Sequence, residues 1–154
     1  MPDTIREKIF QNIESVLNTI HVANGYENDI ASVQRWRQNG NSLKDVPAVI
    51  ISAGIERNED KPFPLTTCNL TVFLDLWIRE QESSTEGTEI LLNSLLGDVK
   101  KALKLDIKRA GNAVDTNFGD TLPFETTEGE PHSGLIIQVL IKYRHLQIDP
   151  KIGG

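Results

Sequence analysis

The sequence predicts an α+β domain, a mixed and mostly antiparallel sheet of about four to five strands packed by two helices. Three observations lead there. Apolar residues return at helical spacing in two stretches far apart in the chain. Within residues 65–80, Leu70, Val72, Leu74, Leu76 and Ile78 alternate onto one face. The order of elements, one helix, three strands, a second helix and two more strands, lacks the regular alternation of a doubly wound parallel fold.

The first helix carries a stripe of Ile5, Ile9, Ile13, Val16, Leu17 and Ile20. Thr4 and Glu7 have the spacing of a capping box, in which each side chain takes a backbone donor of the other. Asn24-Gly25 is the expected stop, since both residues tolerate a left-handed backbone. Residues 30–37 read as a strand with neither side cleanly apolar, which suits a sheet edge or a strand covered by another chain. A polar loop over 38–45 contains Asn39-Gly40-Asn41, a turn-forming run. Residues 48–55 form a compact apolar strand. A charged loop over 57–64 is closed by Pro62 and Pro64.

The clearest strand is 65–80. Leu70, Val72, Leu74, Leu76 and Ile78 point to one side. Asn69, Thr71, Phe73, Asp75, Trp77 and Arg79 point to the other. A second helix over 84–105 buries Leu91, Leu92, Leu95, Leu96, Val99, Ala102 and Leu103. Glu82, Glu86 and Glu89 sit near its positive end; Lys100, Lys101 and Lys104 sit near its negative end. A weak strand over 112–118 precedes a long loop over 119–134, a length that is usually functional. The last strand, 135–146, turns Leu135, Ile137, Val139, Ile141 and Tyr143 inward. The chain is expected to be a single domain over 1–154, with a short flexible tail at 148–154.

Composition bounds what such a domain does. With 154 residues, 38% apolar and 25% charged, it has enough material for a core without staples. A lone cysteine, Cys68, rules out an internal disulfide and a multi-cysteine metal site. A net charge of −6 disfavours wrapping nucleic acid and favours solubility. Met1-Pro2-Asp3 starts no basic-then-apolar leader, and no apolar run approaches the ~20 residues of a membrane helix.

Motifs of catalysis are missing from the pattern. The glycines fall outside phosphate-binding spacings, and no Gly-x-Ser-x-Gly elbow occurs. His21, His132 and His145 are scattered, without the short spacing of a zinc site. Glu128, Glu130 and His132 on the long loop are a candidate hard-cation site; a solvated acidic loop is the cheaper account. Cys68 faces the apolar side of the best strand, as a small core residue does. The expectation is a protein that is no enzyme and uses no cofactor or metal, with binding or assembly as its work.

Two surface features remain. Lys100, Lys101, Lys104, Lys108 and Arg109 form a basic run. A solvated helix end accounts for it most cheaply; the alternative is a face for an acidic partner. Arg35-Trp36-Arg37, and Phe73 with Trp77 among polar neighbours, have the composition of a protein interface. A helix of the same chain lying over them is the equal alternative. Asp75 and Arg79 against Lys142 and Arg144 would pair across strands or across subunits.

Several of these segments together resemble the tail terminator (tail completion) proteins of long-tailed bacteriophages. They are the N-terminal amphipathic helix ending near Ala23-Asn24-Gly25-Tyr26, the strand at 33–37, Val46-Pro47-Ala48-Val49 opening a core strand, and Tyr143-Arg144-His145 with Asp149-Pro150 shortly after. The resemblance spans most of the chain as a pattern of spaced residues. It implies a subunit of a ring, a homohexamer, that caps the head-proximal end of the tail tube and stops tube growth. Its partners would be further copies of itself, the tail tube protein and a neck or connector protein, with DNA only passing through the lumen. The expected place is the virion, after synthesis in the host cytoplasm. Another neck, adaptor or tail-tube protein is the alternative, and a small ligand-binding or hydrolytic domain a more distant one.

Overall fold

Helix α1, Ile5–Leu17, opens on Thr4, whose Oγ1 accepts the Glu7 amide at 3.1 Å. Only this half of the expected capping box forms, because the Glu7 carboxylate turns to Arg35 instead. Ile5, Ile9, Phe10, Ile13 and Leu17 are its buried stripe. The helix ends at Asn18, earlier than Asn24-Gly25. Gly25, at φ 91°, closes a separate 3-10 turn over Val22–Asn24. Ile20 is still fully buried, one turn beyond the helix that was expected to hold it.

The computed structural model describes residues 2–35, 45–79, 85–123 and 132–154. Strand β1 is Ser32–Arg35, β2 Ala48–Glu59 and β3 Leu65–Arg79. Helix α2 is Thr85–Lys104, followed by β4 Asp115–Pro123, β5 His132–Leu146 and β6 Asp149–Gly153. The sheet order is β1-β2-β3-β5-β4, with β6 also paired to β5. Only β1 with β2 is parallel; every other pairing is antiparallel. The α+β fold with a mostly antiparallel mixed sheet is as expected, and β1 is an edge strand as its two-sided polarity suggested.

Three boundaries differ. β2 runs on to Glu59 through what reads as a charged loop, because β3 offers it ladder partners as far as Thr67. β4 runs on to Pro123 and β5 begins at His132, so both ends of the expected 119–134 loop are strand. The expected tail contains β6, which pairs with His145 and Leu146. Residues 38–44 of the polar loop, and Glu82 at the start of the second helix, lie outside the described residues.

Both helices pack on one face of the sheet. Their apolar stripes meet Val49, Ile51, Cys68, Leu70, Val72, Leu74, Leu76, Ile78, Ile137, Val139, Ile141 and Tyr143 in one core. Burial pushes the Cys68 thiol up, as befits a core residue. Beside it the Tyr143 hydroxyl donates to Glu56, which also holds Arg6 at 3.1 Å. Asp98 of α2, 4% exposed, pins the 27–28 backbone to the helix layer.

Two bulges shape the other face. β2 is irregular between Ala53 and Glu56, and β4 between Phe118 and Thr121. A Cβ on Gly54 would lie 2.6 Å from the Phe73 ring and 3.0 Å from the Thr71 carbonyl. Glycine is therefore what lets the edge of the Phe73 ring close on the bulge.

Candidate interaction surface

The face turned away from the helices is built in rows by the register. Trp77 lies between Ala48 and Gly134; Phe73 lies between Ser52 and Gln138. Farther along, Arg57, Asn69, Lys142 and Asp115 stand side by side on β2, β3, β5 and β4. Thr71, Leu140 and Asn117 form the neighbouring row.

The two ends of this face differ. At the Trp77 end, Ala48 and Ile50 are buried, Phe73 and Trp77 are half-buried, and Asp75, Trp77 and Arg79 have partners within the chain. Neither described helix lies over Phe73 or Trp77, yet that end is largely engaged. At the other end a cleft of about 400 Å³ is open, walled by Ile55, Arg57, Thr71, Asn117, Leu140 and Lys142. Ile55 is 69% exposed there. Among the described residues Arg57, Lys142 and Arg144 form no ion pair; Arg144 donates from Nε to Thr67 Oγ1 at 3.1 Å. Asp115 closes the row, its carboxyl held low by the Asn117 amide and then by the Thr116 N–H.

The sequence-derived candidates divide accordingly. Asp75 and Arg79 do not reach Lys142 and Arg144: Asp75 stands opposite Ile136 and Arg79 opposite His132, whereas Lys142 and Arg144 face Asn69 and Thr67. Arg35 is on the helix side, held bidentately by Glu7 at 2.7 Å for both bonds and resting on the Phe10 ring. It fastens the edge strand to α1. Trp36 and Arg37 lie outside the described residues.

The basic run is mostly internal wiring. Lys101 donates to the Gly25 carbonyl at 3.0 Å and covers Tyr26. Lys104 reaches the Thr116 carbonyl at 2.6 Å, and Lys108 the Val114 carbonyl at 2.9 Å. Lys100 and Lys104 flank the Phe118 ring. Arg109 corrects the expectation: it is 0% exposed and donates to the carbonyls of Leu103 and Asp106. No partner can meet it at the surface.

Compared with known families and with curated protein sequences, the chain matches none. The surface itself therefore carries the functional reading. Among the described residues no three His, Cys, Asp or Glu side chains are grouped to hold a metal ion, and no helix is long and apolar enough to cross a membrane. Glu128 and Glu130, the companions expected for His132, lie outside the described residues.

Sequence reasoning missed Arg57, Ile55 and Leu140, the walls of the cleft. It also missed a protruding tip, where Phe63 is 85% and Ile148 93% exposed. Gln147 joins the two turns that carry them, donating its amide to the Pro64 carbonyl at 2.9 Å and its side chain to the Leu65 carbonyl at 3.1 Å. The signal available was an aromatic between two prolines in a charged loop, where nothing local could bury it.

One pH effect follows from the β1 clamp. The hydrogen bond from Arg35 is the main reason the Glu7 carboxyl lies below its ordinary value of 4.5. A carboxylate depressed by folding stabilises the fold above its unfolded value and loses that contribution as pH falls through the folded one. Both side chains are about one-third exposed, so the effect is at most about 1 kcal/mol. In urea titrations the wild type is expected to lose that increment as pH falls below 4.5, and Glu7→Gln to show no such loss. An unchanged acid dependence in Glu7→Gln would refute the assignment.

Proposed function

We propose that the chain is a structural subunit of the phage tail-terminator type, assembling into a ring that ends the tail tube and presents a surface to the neck. The observation that carries this reading is the sheet with its helices on one side. Its other side ends in an open cleft with exposed apolar side chains, where Arg57 and Lys142 form no ion pair among the described residues. Such a surface remains costly to leave bare and suits a neighbouring subunit. The net charge of −6 favours a lumen along which DNA slides, since like charges repel. The place of such a subunit is the head-proximal end of the virion tail.

Native mass spectrometry and negative-stain microscopy test this, first on the purified protein and then on the protein co-expressed with a tail tube protein. A ring, free or seated on tube ends, is the expected result. A protein that stays monomeric at high concentration and also leaves tube length uncontrolled would overturn it. Binding to a neck complex but not to tube ends would favour the adaptor alternative.

A further inference from the structure

We infer that the tip bearing Phe63 and Ile148 docks into the cleft between Ile55 and Leu140 of a second copy of this chain. The ring depends on the reading above; the contact is argued from the two surfaces alone. The tip is the most exposed apolar feature described, with Phe63 at 85% and Ile148 at 93% exposure. It is also held in shape, because Gln147 fastens both turns to each other and its side chain reaches the Asp60 and Leu65 carbonyls. An aromatic on a held turn has only two side-chain torsions to freeze on docking, and its burial removes roughly 150–250 Å² from water.

The cleft fits that occupant in size, polarity and charge. Its volume of about 400 Å³ admits an aromatic ring with an aliphatic neighbour. Ile55 and Leu140, at 69% and 39% exposure, supply apolar walls. Arg57 and Lys142 line it without an ion pair among the described residues, against one carboxylate, Asp115. Around the tip, Glu59, Asp60 and Asp149 outnumber Lys61 and Lys151, and the Glu59–Lys61 pair is loose at 3.8 Å. A tip with an excess of one acidic residue therefore meets a cleft lined by two cations and one carboxylate, a modest complementarity that orients the encounter.

A chain cannot satisfy its own cleft. Leu65 pairs with Leu146, and Thr71 with Leu140, so six residues of strand, roughly 20 Å, separate the row beside Phe63 and Ile148 from Leu140. The two patches share no residue. Docking one tip into one cleft thus leaves the pair with one free cleft on the first copy and one free tip on the second, the condition for a head-to-tail contact that propagates until it closes.

The test is a disulfide trap. In the double variant Phe63→Cys/Leu140→Cys the only native thiol, Cys68, is fully buried and does not compete. A disulfide needs Cα atoms within ~7 Å, which excludes an intrachain bond. Mild oxidation, alone and on tail tubes, is expected to yield a ladder on non-reducing gels ending at the closed ring. Neither single variant should give more than traces of dimer. Phe63→Asp, on a site 85% exposed, is expected to keep its circular dichroism and thermal midpoint while losing assembly at least tenfold in concentration. Dimers only would confirm the contact and overturn the ring. Rings that form normally in Phe63→Asp, with no trapped disulfide, would overturn the contact and leave the ring reading standing. Monomers throughout, with tubes left uncapped, would overturn both.

Discussion

Asp98→Ala is expected to cost about 3 kcal/mol of stability, lowering the thermal midpoint by roughly 6–12 °C for a domain of this size. The carboxylate is 4% exposed and accepts from the Glu27 amide at 3.1 Å, the Asn28 amide at 2.9 Å and Asn28 Nδ2 at 2.8 Å. Asn28 is itself buried, at 8% exposure, and shares its Nδ2 with Ser94 at 3.0 Å. Alanine would leave the donors without an acceptor in a place water reaches poorly, and that desolvation penalty exceeds the net worth of the bonds. Asp98→Asn should recover part of the loss, since its oxygen still accepts while its amide faces other donors. Urea unfolding measures the cost. Hydrogen exchange should show the Glu27 and Asn28 amides opening in Asp98→Ala under native conditions. A loss below about 1 kcal/mol would mean that the 27–28 segment finds other acceptors.

Arg109→Ala is expected to be nearly as severe, at about 2–4 kcal/mol. Its neighbour in the same basic run, Lys108→Ala, should cost under about 1 kcal/mol. The contrast is the point of the pair. Arg109 is fully buried, and burial pulls its guanidinium pKa down; it stays cationic because an arginine starts so high. Its Nη2 donates to Leu103 near the end of α2 and to Asp106 in the turn that follows. Asp106 answers by accepting the Lys108 amide at 3.1 Å and the Ala110 amide at 2.7 Å. The result is a turn through Arg109, Ala110 and Gly111, all at positive φ, that redirects the chain into β4. Truncation removes the plug and the donors together. Lys108 is exposed and only ties back to Val114. Equal effects of the two substitutions in chemical denaturation would contradict this account.

What the sequence by itself determined is the periodic part of the fold. The stripe of Ile5, Ile9, Ile13 and Leu17 and the alternation of Leu70, Val72, Leu74, Leu76 and Ile78 each carry their own period, so element type and buried face follow without knowing any partner. Thr4 as a cap is equally local. Only the tertiary structure decided the rest, and in each case through a partner remote in the chain. Glu7 abandons its half of the capping box because Arg35 is brought beside it. β2, β4 and β6 run through loop-like residues because a neighbouring strand offers ladder bonds. Arg109 leaves the surface because the turn after α2 folds its side chain under that helix. The cleft belongs to this second class. Arg57, Asn69, Lys142 and Asp115 become one row only when strand order and register are fixed, and Phe63 joins Ile148 only when Gln147 ties their turns. Periodicity is a property of neighbours along the chain, whereas a surface is a property of neighbours across it.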